Sequence, residues 1–498
     1  MNIHFKQLDL PFNDIFGPTT QYITHLAYDS RLVQKDGIFF SIKGENHDGH
    51  EYISDAVKKG AVTVVGTSSY QLKQLSKRFP HCTFLVVDDV RFFMAHFSKY
   101  FYGNSDDKLK TIGVTGTNGK TTVAAYVRSL LTLLHLPTGS IGTTGIWSSK
   151  QKLVYAKSTP TTPESTDLHY IFHDLLSLHD QAAVMEVSSI ALDQQRVEGM
   201  TFDVAIHTNF SEEHLEYHKT MEHYKQSKMR LFQQAKSAVV NVEDEGMGDD
   251  LLQTFTGRMV TYSISEGVPA MLQARYLTTT SAGTAFDLHF KGNRYEVFAP
   301  VYGDYNIANV LSAIGTALLL GYHIEDILDV LPNLESPEGR FQVIQGPNNQ
   351  RVILDYAHTP VALTRLLHEV KKLPHNRLIL MIAGIGIRDF NKMPKMARVA
   401  EGQADEIVVT VDHPGFHDPD IIVDNVISGF SDPHHPNIHR APTRREGVLT
   451  SLSLGEENDI ILLTSGCING AQLVKGEAIP HSDEAIIDAY YASILLKG

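Results

Sequence analysis

The stretch GVTGTNGKTT (113–122) constrains this chain more than any other feature of it. An apolar run leads into it, and the helical pattern VAAYVRSLLTLL follows. A buried strand, a Gly-rich turn and a helix in that order form a phosphate-binding arrangement of α/β proteins. Gly116 and Gly119 let the backbone approach phosphate oxygens closely. The helix behind them presents free N–H groups and the positive end of its dipole. Lys120 is placed to reach β- and γ-phosphates, and the Thr121 hydroxyl is a ligand for Mg²⁺. Thr117, Asn118 and Thr122 complete the loop. Val114 stands where the usual pattern has its first Gly, so the loop is a variant, G-x-x-G-K-T-T. It leaves the choice between ATP and GTP open.

The alternation of strand and helix extends in both directions from this loop. With 498 residues, about three domains are expected at roughly 100–200 residues each. The first, 1–106, has apolar runs at 37–42, 61–66 and 83–89 and a helix around Tyr52–Lys59. The polar stretch 102–110 reads as a linker. The second, 107–337, has strand-like runs at 182–189, 202–209 and 237–242 and a helix over 304–322. The third, 338–498, has runs at 351–358, 377–384, 406–412 and 459–466, the pattern of an open parallel sheet. The stretch 431–439 reads as a surface loop. The fold class is α/β, with a central P-loop parallel-sheet domain and a Rossmann-like third domain.

Composition excludes several classes. The net charge of −14 lacks the footprint of a nucleic-acid binder. Two cysteines, Cys82 and Cys467, build neither a disulfide scaffold nor a four-cysteine zinc site. No apolar stretch approaches the ~18 residues that span a bilayer, and the N-terminus lacks the apolar core of a signal peptide. A soluble protein of a reducing compartment is expected, without membrane insertion.

Few other residues carry chemistry alone. Glu186 ends an apolar strand, where a carboxylate is placed to hold a nucleotide metal. His214 and His218, four residues apart in a stretch rich in His and acids, are expected to share a helix face. Neither HExxH nor GxSxG occurs.

Taken in order, GTNGKTT, STPTTPES, MEVSS with Q-x-R, TNFSEEHLEYH, HYKQSK, YNIAN, EGR and DYAHTP resemble the motifs of the Mur ligases. The branch is the MurE type, which adds the third amino acid to UDP-N-acetylmuramoyl-L-alanyl-D-glutamate in peptidoglycan precursor synthesis. YDSR (28–31) and GENHDG (44–49) extend the resemblance to the N-terminus. It implies a cytoplasmic three-domain enzyme, with a monomer favoured, whose partners are UDP-muramoyl-dipeptide and a free amino acid. Ser30 and the segment around His47 would hold the uridine diphosphate. Thr161, Thr162, Ser188, Gln194 and Arg196 would contact the muramoyl-peptide. Thr121, Glu186, His214 and a carbamylated Lys228 would surround Mg²⁺. Asn306 and Asn309 would contact the adenine of ATP, while Arg340, Asp355 and His358 would reach the nucleotide from the third domain. The implied reaction passes through an acyl phosphate that an incoming amine attacks.

The departures cluster where the family recognises that amine. Diaminopimelate-adding members carry DNPR, whose Arg pairs with a carboxylate; here the stretch is Asp412-His413-Pro414-Gly415. Gly cannot replace a bidentate Arg–carboxylate pair. The acidic residue of the family's GKGHE segment becomes Asn469, and Pro160 stands where an Asn is frequent. Arg388, in a partial GGxRD match, is left to bind an α-carboxylate. An enzyme adding L-lysine or another amino acid is the first expectation. A paralogue joining different partners is the second. A folylpolyglutamate synthase-like ligase and a non-catalytic ATP-binding protein are disfavoured by YDSR and by the intact loop.

Overall fold

The computed structural model describes residues 1–44, 47–155, 159, 161–244, 246–280, 282–337, 339–387, 389–465 and 470–495. The chain divides into two compact units. One is Met1–Lys120 with Leu134–Thr261 and Leu319–Gly321; the other is Thr121–Leu133 with Tyr262–Leu318 and Tyr322–Gly498.

The first unit holds a five-stranded sheet in the order Asp14–Phe16, Thr83–Val86, Ala61–Gly66, Gly37–Phe40, His25–Ala27. All neighbours but the first pair are parallel. Successive strand residues feed opposite faces. Ile38, Phe40, Val65 and Leu85 pack with Phe93 and Phe97, whereas Phe39, Val64, Phe84 and Val86 pack with Ile53 and Leu72. Both faces of the three inner strands are covered, so Gly37–Phe40, Ala61–Gly66 and Thr83–Val86 read as largely apolar runs. The helix expected around Tyr52–Lys59 forms as Ile53–Lys59. In the linker region, a short 3-10 turn occupies Ser105–Lys108, and the next strand begins at Lys110.

The same unit contains the strand Lys110–Thr115 that feeds the phosphate loop. It lies between Ala182–Glu186 and Val204–His207, parallel to both. Thr138–Gly142 continues the sheet beyond Ala182–Glu186, and Ser237–Asn241 continues it beyond Val204–His207. The chain thus crosses from one side of Lys110–Thr115 to the other. A crevice opens outside the strand ends at such a switch point, and ligands bind there.

In the second unit, Leu272–Thr279, Thr284–Phe290 and Asn293–Ala299 form an antiparallel meander. Parallel alternation alone does not anticipate it. Its burial alternates residue by residue along Thr284–Phe290, the mark of a sheet with one covered face. The helix expected over 304–322 forms as Asp304–Leu319.

The six-stranded sheet of this unit runs Gln342–Gln345, Arg351–Asp355, Ile460–Thr464, Leu378–Ile385, Glu406–Asp412, Ile438–Arg440. All pairs but the first are parallel. Each of the four apolar runs expected here supplies a strand. The surface loop expected at 431–439 is exposed over 431–437, but Ile438–Arg440 then joins the sheet edge. No helix among the described residues is long and apolar enough to cross a membrane.

A buried ion pair fixes the end of the strand Ile460–Thr464. Arg444 has no exposed surface and grips Asp483, with Nη2 at 2.6 Å from Oδ2 and Nε at 3.0 Å from Oδ1. Both terminal guanidinium nitrogens also donate to the Thr464 carbonyl at 3.2 Å. Burial pushes the Asp483 carboxyl up, but Arg444 and His481 outweigh it and hold the group well below the usual carboxylate range. Asp483→Ala strands a buried guanidinium and is expected to lower stability by about 3–5 kcal/mol in urea unfolding. The apolar pair Arg444→Met with Asp483→Leu should recover most of that loss. An Asp483→Ala loss below about 1 kcal/mol would mean that the pair behaves as a surface bridge.

Candidate functional site

The phosphate loop is knit to the segment 208–211. Gly116 adopts φ 150°, and a Cβ there would sit 1.9 Å from Thr208 Oγ1. Only glycine allows that approach. The Thr117 N–H donates to the Asn209 carbonyl at 2.8 Å, and the Asn118 N–H to Asn209 Oδ1 at 2.9 Å. Thr208 Oγ1 donates to the Asn118 carbonyl at 2.6 Å, and the Ser211 N–H donates to Thr117 Oγ1 at 2.9 Å. Asn209 and Ser211, which carry no signal of their own in the TNFSEEH stretch, thus fix the loop backbone.

Two lysines meet at this loop. Lys120 Nζ donates to the carbonyls of Gly116 and Thr117 at 2.8 and 2.9 Å. Lys228, 1% exposed, donates to the same Gly116 carbonyl at 2.8 Å and lies 4.6 Å from the centre of the Tyr224 ring. No carboxylate among the described residues lies within ion-pair distance of Lys228. Burial pushes its ammonium well below the ordinary lysine range, and nearby Lys120 pushes the same way.

Glu186 is buried and accepts from Thr143 twice, from the N–H at 2.7 Å and from Oγ1 at 3.2 Å. Gly142 makes room for it, since a Cβ there would lie 2.2 Å from Glu186 Oε1. The turn after the strand Thr138–Gly142 therefore orients the carboxylate, and no sequence signal pointed to Thr143. Thr162 donates to the Glu186 carbonyl at 3.0 Å and accepts from the Ser188 N–H at 3.1 Å. Thr161 has φ 66°, a left-handed backbone that a β-branched residue rarely adopts. Such strain concentrates at ligand-binding positions. Gln194 Oε1 accepts from Arg196 Nη2 at 2.8 Å, and Arg196 Nη1 donates to the Thr162 carbonyl at 2.8 Å. Thr162, Ser188, Gln194 and Arg196 are thus one hydrogen-bonded group, and Thr161, next to Thr162 in the chain, meets Thr143 Oγ1 at 3.3 Å.

The helix expected around the two histidines is only Leu215–His218, and His214 precedes it with a left-handed backbone at φ 57°. Both rings nevertheless face the Tyr224 ring, with centroids at 6.2 Å for His214 and 5.1 Å for His218. His214 is partly exposed and flanked by Glu213 and Glu216, whereas His218 is buried against Ser189 Oγ at 2.9 Å. Ser30 lies in the turn after the strand His25–Ala27, and His47 is exposed. Thr121 and Thr122 open the helix Lys120–Leu133 and are buried.

In the second unit, Asn306 Nδ2 donates to the Tyr302 carbonyl at 2.8 Å, and Asn309 Nδ2 to Asn306 Oδ1 at 3.2 Å. Asp355 accepts from the N–H groups of Phe341 and Ala357. Burial pushes its carboxyl up, opposed by Arg340 and those two donors. The Arg340 guanidinium lies 5.0 Å from the centre of the Tyr356 ring, and the His358 ring packs on Tyr356 at 4.7 Å. Arg340, Asp355 and His358 are therefore brought together around Tyr356.

Asp412 ends the strand Glu406–Asp412 and is 1% exposed. Its Oδ1 accepts from Gln472 Nε2 at 2.9 Å and from the His413 N–H at 3.0 Å, while Oδ2 has no hydrogen-bond partner among the described residues. Phe416, just beyond Gly415, is 82% exposed. Arg388 and Asn469 lie outside the described residues, as do Pro160 and Cys467.

Three family models match the chain. They are the Mur ligase family catalytic domain over residues 22–102, the Mur ligase middle domain over 114–317 and the Mur ligase glutamate ligase domain over 339–467. A UDP-N-acetylmuramoyl-L-alanyl-D-glutamate–2,6-diaminopimelate ligase of Clostridium acetobutylicum is 34% identical over 97% of each chain. A ligase of the same name from Fusobacterium nucleatum is 35% identical over 88% of each chain. The solved structure of a ligase of that name aligns with a TM-score of 0.69 and 26% identity, covering 99% of this chain and 100% of the other. The chain therefore belongs to the Mur ligase family, in its MurE-type branch, and has that family's three-domain α/β fold.

Proposed function

We propose that this ATP-dependent amino-acid ligase joins L-lysine, or another amino acid without a distal carboxylate, to UDP-N-acetylmuramoyl-L-alanyl-D-glutamate. One observation carries the choice of amine. The buried Asp412 leaves Oδ2 without a hydrogen bond, with His413 Nε2 3.8 Å away as its nearest charge partner, and so suited to an ammonium group, whereas Gly415 offers no guanidinium for a second carboxylate. A charge-assisted bond to a desolvated acid favours a cationic partner. The relatives named for diaminopimelate differ from this reading only in which amine is joined. We place the uridine-nucleotide domain at 1–106, the ATP domain at 107–337 and the amine-delivering domain at 338–498, in a cytoplasmic monomer serving peptidoglycan precursor synthesis.

The chemistry follows from the charges at the loop. The substrate carboxylate attacks the γ-phosphorus of ATP in line, and the bond to the β,γ-bridging oxygen breaks to release ADP. The amine then attacks the acyl carbon, loses a proton and expels phosphate. Lys120 neutralises the transferring phosphoryl group, a role in which removal of one donor typically lowers kcat about 10²–10³-fold. Thr161, Thr162, Ser188, Gln194 and Arg196 hold the peptide so that its carboxylate stays in line. Ser30 and His47 hold the uridine diphosphate. Asn306, Asn309, Arg340, Asp355 and His358 bind the nucleotide.

Lys228 has the environment that carbamylation needs. Its depressed affinity for a proton favours the neutral amine, which adds CO₂ through its nitrogen and releases a proton. A carbamate there relieves the crowding of two cations. The hydroxyl of Thr121, the carboxylate of Glu186 and a Lys228 carbamate form a hard oxygen donor set suited to Mg²⁺. His214 is the fourth ligand of this reading. Such a metal would supply further charge neutralisation on the transferring phosphoryl group.

Phosphate release from ATP, measured with UDP-muramoyl-dipeptide and one amino acid at a time, tests the reading. L-lysine or another monocarboxylic amino acid should give the highest kcat/KM; diaminopimelate as the best amine would overturn the assignment. Release that ignores the uridine nucleotide would point instead to a paralogue with other partners. Lys120→Ala should lower kcat about 10²–10³-fold in the same assay. Removal of dissolved CO₂ should lower wild-type activity and bicarbonate should restore it. Lys228→Ala should be inactive under both conditions, and full activity in that variant would remove Lys228 from the site.

A further inference from the structure

Arg91 opens the helix Val90–Phe101 of the N-terminal sheet domain. Neither the phosphate loop nor the family motifs give it a task. Its Nη1 donates to Glu164 Oε2 at 3.0 Å and to the Gln194 carbonyl at 3.5 Å. Glu164 is buried, and its other oxygen, Oε1, lies 3.1 Å from Arg196 Nε. That N–H is not aligned for a hydrogen bond, so the contact is an ion pair held by position. Arg196 commits its two terminal nitrogens to the Thr162 carbonyl and to Gln194 Oε1. One carboxylate is therefore shared by two guanidinium groups, one on the N-terminal helix and one in the peptide-binding group.

A second contact grips the same turn. Asp89 caps the helix by accepting the Arg91 and Phe92 N–H groups, and its Oδ2 receives Gln195 Nε2 at 2.6 Å. Gln195 has φ 57°, a turn that the neighbouring contacts must hold in place. The segment Gln194–Arg196 is thus bonded from one side by Asp89 and Arg91 and from the other by Glu164 and Thr162.

The charge balance gives the arrangement a consequence. A Glu164 facing Arg196 alone would neutralise it. With Asp89 bonded to the same segment the cluster would then be net negative, and Arg91, sharing the Glu164 carboxylate, brings it back to neutral beside Thr162. Loss of Arg91 would leave an excess negative charge that repels an anionic peptide.

We propose that Arg91 and Glu164 are positioning residues that set Arg196 and Gln194 for the acyl-peptide carboxylate substrate, linking the nucleotide-sugar domain to the peptide site. The proposal rests on the ligase reading above, so the experiment first establishes that the wild-type protein binds UDP-muramoyl-dipeptide. If wild type does not bind it, the ligase reading fails. If wild type binds it, the variants decide on Arg91.

Arg91→Ala should raise KM for UDP-muramoyl-dipeptide about tenfold, as expected for a lost charge-assisted bond, and leave kcat and KM for ATP within about twofold. Arg91→Lys, which keeps the charge, should recover part of the loss. Glu164→Gln, close in shape, should raise the same KM and provides the test if Arg91→Ala fails to fold. A purely structural role would lower thermal stability without separating the two KM values. Unchanged KM for the uridine substrate in the folded variants, or equal losses in both KM values and kcat, would overturn the proposal.

Discussion

The Gly116 carbonyl accepts from Lys120 and Lys228 at once, and this crowding of two cations on one backbone oxygen sets the terms for the rest of the molecule. Neutral hydrogen bonds compensate a buried ammonium poorly. The loop therefore favours whatever brings negative charge: phosphate oxygens in front of it and, on the proposed reading, a carbamate on Lys228. The acidic balance of the chain as a whole cannot attract anionic substrates. Attraction falls to local features, and the tight fit of Gly116 against Thr208 keeps those features in register.

Much of this was legible in the sequence because the signals are local. The Gly-Lys-Thr turn carries its own backbone requirement, and strands covered on both faces appear as unbroken apolar runs. The meander over 272–299 was not foreseen, because a half-covered sheet hides its signal in alternation among Thr, Asp and Arg residues. The shortness of the helix at His214 has a different cause: a left-handed residue at its start interrupts the helical backbone, although the rings of His214 and His218 still meet the same Tyr224 ring. The partners that orient the site are the least visible: Thr143 lies 43 residues from Glu186, Asn209 lies 91 from Asn118, and Arg91 lies 73 from Glu164. Only the fold brings such pairs together.

On the proposed reading, the six-stranded sheet separates chemistry from selectivity. Asp355 and Asp412 both end parallel strands of this sheet, yet their surroundings differ. Asp355 is bonded on both oxygens by backbone N–H groups; Asp412 keeps one oxygen free of hydrogen bonds. The proposed specificity lies in that oxygen and in the loop beyond it, where Gly415 replaces an Arg. Arg444 and Asp483 anchor the neighbouring strand end, so the loops can vary without loosening the sheet.

The central claim is that a peptide carboxylate takes the γ-phosphoryl group before any amine enters. ATP labelled with ¹⁸O in the β,γ-bridge tests this without knowledge of the amine. Incubated with the protein and UDP-muramoyl-dipeptide alone, the label should scramble into the non-bridging β-positions, because ADP forms reversibly and its terminal phosphate rotates. The scrambling should vanish when the uridine substrate is omitted. Label that stays in the bridge while the substrate is bound would contradict the account.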